Sequence, residues 1–252
     1  MPPQKLPPGV TITVEGRGDV PVYTIQPSAT AVRQVIVAHG GGWVHEISRQ
    51  HWQLVFQMAV QARVAVSVPI WTLLPHGTAL QANRLVTTLY QELASTEQEV
   101  VLAGDSAGGQ LALSAALTLR DRGVSGVRTV LIRPALDLGF SNPDMLRVQP
   151  SDPWLAIPGG RHLGSMWAAG LPITDPVVSP LAGTMHGLGR MLVFMGTRDI
   201  LNPDARLLAD KARTAGVEVE LVEQEAGVHV YPLLPTASGR TARSRIIEEL
   251  RS

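Results

Sequence analysis

The sequence predicts an α/β fold built on one central, mostly parallel sheet flanked by helices. Three observations carry that expectation. Short apolar runs recur at 35–38, 64–68, 100–103, 129–132, 191–195 and 217–222. Stretches of helical length, 51–62, 78–94, 107–121 and 203–215, alternate with them. No internal repeat or linker divides the chain. Strand and helix in alternation is the pattern of parallel strands joined by crossover helices.

Taken in order, the runs 10–14 and 20–25 flank Glu15-Gly16-Arg17-Gly18-Asp19 and read as a hairpin ahead of the parallel part. The first five apolar runs of the alternating part are continuous, as expected of strands covered on both faces. The last, 217–222, alternates Val and Glu at its start and predicts a strand with one wetter face. Asn202-Pro203 supplies an N-cap followed by proline at the first helical position, and Gly216 marks that helix's end. The Ala- and Leu-rich helix 107–121 likewise stops before Gly123. The stretch 139–184 is rich in Pro and Gly and poor in periodicity. So long an irregular segment in a compact domain is usually functional. Trp154, Met166, Trp167 and Leu171 make it too apolar for a solvated loop, so it is expected to cap a pocket. The whole chain, 1–252, is read as one domain carrying that cap.

Composition removes several classes of function. Lys and Arg number 21 against 21 Asp and Glu in 252 residues, leaving no positive surplus to neutralise phosphates, so no nucleic-acid partner is expected. Zero cysteines exclude disulfides, thiolate metal sites and cysteine nucleophiles. No apolar run reaches the roughly 18 residues of a membrane span. The proline-rich first ten residues lack the apolar stretch of a signal peptide. The expectation is a soluble, cytoplasmic protein. No histidine pair stands at metal-binding spacing on a credible helix, and no phosphate fingerprint is present, so neither a metal nor a cofactor is assigned.

The strongest chemical signal is Gly104-Asp105-Ser106-Ala107-Gly108-Gly109, a G-x-S-x-G turn between a predicted strand and a predicted helix. Such a turn is strained, and side chains at Gly104 or Gly108 would collide with neighbouring backbone. It lifts the serine hydroxyl above the sheet and leaves N–H groups at a helix N-terminus, where developing negative charge is favoured. Ser106 is the candidate nucleophile. A second signal, His39-Gly40-Gly41-Gly42-Trp43, follows the strand at 35–38. Three consecutive glycines let backbone N–H groups converge on one spot, the geometry of an oxyanion hole.

A nucleophilic serine needs a base, and the base needs an orienting acid. Of the seven histidines, only His229 follows the last predicted strand. Asp199 lies just past the run 191–195, at the carboxyl end of a strand, where ligand sites in such sheets gather. The order Ser106, Asp199, His229 is that of the α/β-hydrolases. The remaining polar candidates take plainer roles. His39 is expected to brace the glycine loop, His45 and His51 to flank it or start a helix, and Asp105 and Asp152 to hold loops by hydrogen bonds.

These motifs, with Asp175-Pro176-Val177-Val178-Ser179-Pro180-Leu181, resemble the hormone-sensitive-lipase-like esterases of the α/β-hydrolase superfamily from about residue 35 onward. The resemblance implies a carboxylic-ester hydrolase with Ser106, Asp199 and His229 as triad. It also implies the backbone N–H groups of Gly41, Gly42 and Ala107 as oxyanion donors, and Asp152-Pro153-Trp154-Leu155 as the start of the cap. Two departures stand out. Members usually carry Tyr-Arg-Leu-Ala-Pro-Glu where this chain has Trp71-Thr72-Leu73-Leu74-Pro75-His76, which removes a structural brace. Only some ten residues precede the first β run, where the family has a helical cap segment. A reduced cap implies short-chain acyl esters, with Trp43, Trp154, Met166 and Trp167 expected around the pocket. Lactone, amide or carbamate hydrolysis would use the same triad. A binding protein that had lost turnover should show a broken triad, and all three members are present. The apolar segment 228–234 fits either the core or a homodimer interface.

Overall fold

The computed structural model describes residues 1–3, 5–96 and 98–252. Its strands are β1 (Val10–Arg17), β2 (Val20–Pro27), β3 (Gln34–Ala38), β4 (Ala65–Pro69), β5 (Val100–Asp105), β6 (Arg128–Ile132), β7 (Met191–Gly196) and β8 (Val219–Gln224). They form one sheet in the order β1-β2-β4-β3-β5-β6-β7-β8. The β1–β2 hairpin joins antiparallel to β4, and every pairing from β4 to β8 is parallel. Strands β4, β5 and β7 are buried at every position, whereas β8 is only half-buried, as its Val–Glu alternation predicts.

The helices are α1 (Arg49–Gln57), α2 (Ala79–Ala94), α3 (Ala107–Asp121), α4 (Met145–Val148), α5 (Ile157–Ala168), α6 (Asn202–Thr214) and α7 (Ala237–Arg251). Alternate strand residues feed two cores. Ile36, Leu102, Leu131 and Val193 pack with α2, α3, α5 and α6. Val35, Val101, Val130 and Phe194 pack on the other face with α1 and α7. Helix α3 is buried along most of its length, which its small alanines permit by letting the helix lie close to the sheet. Tyr231 and Leu233, in the segment that sequence left open between core and interface, join the α1–α7 core. Among the described residues no helix is long and apolar enough to cross a membrane.

Two local expectations need correction. Asn202 is the first residue of α6 and Leu201 its N-cap, because the N–H groups of Leu201 and Asn202 are held by the side-chain and backbone oxygens of Asp199. The segment 139–184 is also more regular than its sequence suggests, since it contains α4 and α5. Helix α5 escaped notice because Gly159, Gly160 and Gly164 weaken helix propensity. Two of these glycines are required by contact. A Cβ at Gly160 would lie 2.2 Å from the Phe140 ring, and one at Gly164 2.8 Å from the Leu138 carbonyl.

Register places the chemistry. Ala38 pairs with Gly104 in the β3–β5 ladder, so the glycine loop and the serine turn leave the sheet side by side. Gly196 pairs with Gln224, so the segments carrying Asp199 and His229 emerge together from β7 and β8. Helix α6 is tied to the 139–184 segment by Asn142 Nδ2, which donates to Asp204 Oδ1 at 2.9 Å. Asp204 is fully buried, and its second oxygen has no partner among the described residues. Burial pushes its carboxyl up to about 7.

An aspartate in the unfolded chain ionises near ~3.9. Between about pH 4 and 7 the native state therefore binds a proton at Asp204 that the unfolded state has lost, and this group's contribution to stability falls as pH rises through that window. Asp204→Asn is expected to flatten urea-unfolding stability between pH 4 and 7. It should raise stability at pH 8 by on the order of 2–4 kcal/mol. An unchanged pH slope would contradict the assignment.

Candidate active site

Ser106 forms the turn between β5 and α3 with φ +51° and ψ −115°. That is a costly backbone for a residue with a Cβ, and surrounding bonds hold it. Its N–H donates to the Ile132 carbonyl at 2.9 Å, while its own carbonyl accepts from Gln110 N at 3.0 Å and Ala135 N at 3.1 Å. The neighbouring glycines are obligatory. A Cβ at Gly108 would lie 2.0 Å from the Ala38 carbonyl oxygen, and one at Gly104 would lie 2.3 Å from that of Gly108.

The structure brings Ser106, His229 and Asp199 into one chain of hydrogen bonds. Ser106 Oγ lies 2.9 Å from His229 Nε2, and His229 Nδ1 lies 2.7 Å from Asp199 Oδ2. Because an ionised carboxylate only accepts, Nδ1 carries the proton and Nε2 is free to accept from the serine. Asp199 is fully buried. Burial alone would raise its carboxyl, but His229, Arg133 and the Leu201 N–H together hold it below the usual range. Asp152, from the 139–184 segment, accepts from Ile200 N at 2.9 Å and so steadies the residue next to Asp199.

On the other side of Ser106 lies the glycine loop. Gly41 has φ +129°, and a Cβ there would meet the His45 carbonyl oxygen at 2.5 Å. The N–H groups of Gly41, Gly42 and Ala107 have no hydrogen-bond partner among the described residues. The loop is braced from below. Asp105 Oδ1 accepts from Gly40 N at 2.8 Å, and His51 Nε2 lies 3.1 Å from the same carboxylate. Ser48 N donates to His51 Nδ1 at 2.9 Å, which assigns the His51 proton to Nε2 and aims it at Asp105. Despite full burial, Asp105 is held below the usual carboxylate range by His51 and Gly40 N. His39 Nδ1 lies 2.7 Å from the Gly40 carbonyl, and its ring stacks on Trp71 at 4.1 Å. Leu74 N donates to the Trp43 carbonyl at 2.8 Å, so the divergent segment 71–76 still fastens this loop.

Two cavities meet at Ser106. One, of about 650 Å³, opens to solvent past Gly41, His45, His51, Leu233 and Leu234. The other, smaller at about 290 Å³, is lined by Trp43, Phe140, Trp154, Leu155, Leu163 and Leu201. Trp43 and Trp154 line this second cavity. Met166 and Trp167 do not. On α5, Leu163 takes the cavity-facing position, whereas Met166 turns to solvent. Trp167 is driven into the core, stacked on Trp43 at 6.1 Å, with Nε1 donating to Gln110 Oε1 at 3.2 Å. Among the described residues no group of three or more His, Asp or Glu side chains is placed to hold a metal ion.

Sequence reasoning missed Gln110 and Arg133, and it placed His51 at a helix start beside the glycine loop without its partnership with Asp105. Gln110 and Arg133 are each a lone polar residue among apolar neighbours, and that is the signal that could have found them, since a buried polar group demands a partner. Gln110 also donates to the Val177 carbonyl at 2.8 Å, joining α3 to the segment 175–181. Arg133 Nη1 donates to Asp199 Oδ2 at 2.9 Å.

With this geometry in view, comparison with known proteins is informative. A family model described as an alpha/beta hydrolase fold matches residues 35–233. A triacylglycerol lipase of Mycobacterium tuberculosis is 29% identical over 232 residues, covering 90% of this chain and 48% of that protein. An acetyl-hydrolase of Streptomyces hygroscopicus is 29% identical over 245 residues, covering 94% of this chain and 80% of that protein. The chain therefore spans about half the length of the first relative and most of the second. The crystal structure of an esterase from the bacterial hormone-sensitive lipase family superposes with a TM-score of 0.87 at 26% identity, covering 98% of this chain and 86% of that one. The matched span takes in the glycine loop, the serine turn and the His229 loop, and the chain belongs to the α/β-hydrolase-fold family, alongside bacterial esterases of the hormone-sensitive-lipase type.

Proposed function

We propose that this protein is a serine hydrolase of short-chain carboxylic esters, with Ser106 as nucleophile, His229 as general base and acid, and Asp199 as the residue that orients it. The observation that carries the reading is the continuous bond chain from Ser106 Oγ through both His229 nitrogens to Asp199, standing beside three N–H groups without partners among the described residues. Nothing in that arrangement requires a cofactor.

The reaction follows from the geometry. As Ser106 Oγ attacks the ester carbonyl carbon, His229 Nε2 accepts the hydroxyl proton. The electron pair of the carbonyl moves onto its oxygen, which faces the N–H groups of Gly41, Gly42 and Ala107. Collapse of the tetrahedral adduct breaks the bond to the alkoxy oxygen, which leaves as alcohol with the proton from His229. Water, deprotonated by His229, then attacks the acyl-enzyme, and the carboxylic acid departs as Ser106 regains its proton. Asp199 keeps the imidazole in the tautomer that both halves need and stabilises the imidazolium that forms in each.

The smaller cavity of about 290 Å³ fits the acyl chain, and its mostly apolar lining suits an alkyl group. Phe140 and Gly160 both line it and pack against each other, which keeps the space small. The solvent-open cavity fits the alcohol portion. The segment 139–184 serves as the cap, since Phe140, Trp154, Leu155 and Leu163 all belong to it.

Hydrolysis of p-nitrophenyl esters from acetate to palmitate should peak at short acyl chains, and Ser106→Ala should lower kcat by at least about 10³-fold. Activity that survives the substitution would overturn the mechanism, and faster turnover of palmitate than butyrate would overturn the pocket assignment. The brace beneath the glycine loop gives a second outcome. Asp105→Asn removes the carboxylate charge that Gly40 N and His51 share. It should lower kcat by about 10²-fold, the scale of losing an oxyanion donor, with KM nearly unchanged. A variant that loses affinity at unchanged kcat would show that the brace shapes the binding pocket instead.

A further inference from the structure

Arg133 is the one fully buried arginine among the described residues, and it touches the acid of the proposed triad. It follows the last residue of β6, with φ +50°. Its N–H donates to the Phe194 carbonyl at 2.9 Å, which keys it to β7 just before the Asp199 turn. The guanidinium lies under the face of Tyr231, 4.7 Å from the ring centroid. Two glycines make room for it. A Cβ at Gly196 would lie 1.8 Å from Nη2, and one at Gly227 2.9 Å from the same atom. Nη1 bonds Asp199, while Nε and Nη2 have no partner among the described residues.

This is an expensive arrangement. Burying a guanidinium with two unsatisfied nitrogens opposes folding, and a neutral donor could have held Asp199 in place at lower cost. What a neutral donor lacks is charge. Arg133 Nη1 and His229 Nδ1 bond the same oxygen, Asp199 Oδ2, at 2.9 Å and 2.7 Å. The cation therefore acts on the imidazole through the carboxylate they share.

We infer that Arg133 is a positioning residue that balances the buried charge of Asp199, so that His229 stays neutral and ready to accept the Ser106 proton. This rests on the triad reading above. With Arg133 in place, carboxylate and guanidinium sum to zero around a neutral imidazole. With the guanidinium gone, the buried carboxylate draws a proton onto the imidazole it shares a bond with, and a protonated imidazole cannot accept a proton from serine. The other ionisable groups facing the guanidinium are Tyr231, whose hydroxyl is pushed up by burial, and Asp152, more distant across the 139–184 segment. Neither shares an Asp199 oxygen with His229.

The test compares the pH dependence of kcat/KM on p-nitrophenyl butyrate for wild type, Arg133→Gln and Arg133→Lys. The neutral variant should move the acid limb to higher pH by on the order of one to two units, the usual effect of removing a charge at such a distance. Its activity should recover toward wild type on the alkaline side, and the lysine variant, which keeps the charge, should leave the limb in place. A fall by the same factor at every pH, or an equal shift in both variants, would overturn the inference. Should Arg133→Gln fail to fold, the double variant Arg133→Gln/Asp199→Asn removes both charges together. Recovered folding supports charge balance, whereas continued misfolding makes Arg133 a packing residue and overturns it. A wild type silent on every ester, or a fully active Ser106→Ala, would instead sink the triad reading on which this rests.

Discussion

The close approach of the serine turn to the end of β3 governs everything around it. Gly104 and Gly108 lie so near the carbonyls of Ala38 and His39 that no other residue fits either position. That contact follows from the Ala38–Gly104 register of two parallel strands, where a slip by one residue would exchange the side chains that fill the two cores. From it come the strained backbone of Ser106, the placement of its hydroxyl above the sheet, and the adjacency of the glycine loop. The strain is stored locally and compensated by bonds to Ile132, Gln110 and Ala135 on neighbouring segments.

Two buried aspartates then organise the loops on either side of the serine. Asp105 fixes the glycine loop through Gly40 N and is itself held by His51. Asp199 fixes the imidazole and is held by Arg133 and Leu201 N. Each carboxylate would be costly to bury alone, and each is satisfied by a partner from a distant segment. The paired design fixes the glycine loop on one side of Ser106 and the His229 imidazole on the other, while both rest on the same strand ends. Gln110 links the glycine loop to the 139–184 segment, because its side chain meets Trp43, Trp167 and the carbonyl of Val177 at once, and Asp152 ties the same segment to the turn after Asp199.

Much of this was legible in the sequence, for physical reasons. Strands 100–105 and 191–196 announce themselves because central parallel strands must be apolar on both faces. Gly104, Gly108 and the run 40–42 announce themselves because close backbone approach tolerates nothing larger. Ser106, Asp199 and His229 fall just past strand ends, where the topology collects its loops. The misses share a cause of their own. Helix α5 is hidden by glycines that its contacts with Phe140 and Leu138 require, so local propensity and tertiary packing disagree there. Met166 and Trp167 look alike as apolar cap residues, and only the helical phase of α5 sends one to solvent and the other to the core. The partnerships of His51 and Arg133 join residues 54 and 66 positions apart, a distance over which no periodicity carries information.

The central claim is that one serine hydroxyl faces three convergent backbone donors. Its most direct test is the crystal structure of the protein after reaction with a p-nitrophenyl alkylphosphonate, which mimics the tetrahedral adduct. The account predicts phosphorus bonded to Ser106 Oγ, with the phosphoryl oxygen about 2.7–3.1 Å from the nitrogens of Gly41, Gly42 and Ala107. It also predicts the alkyl group in the cavity beside Phe140. Phosphorus on any other residue, or a phosphoryl oxygen turned away from those three N–H groups, would contradict it.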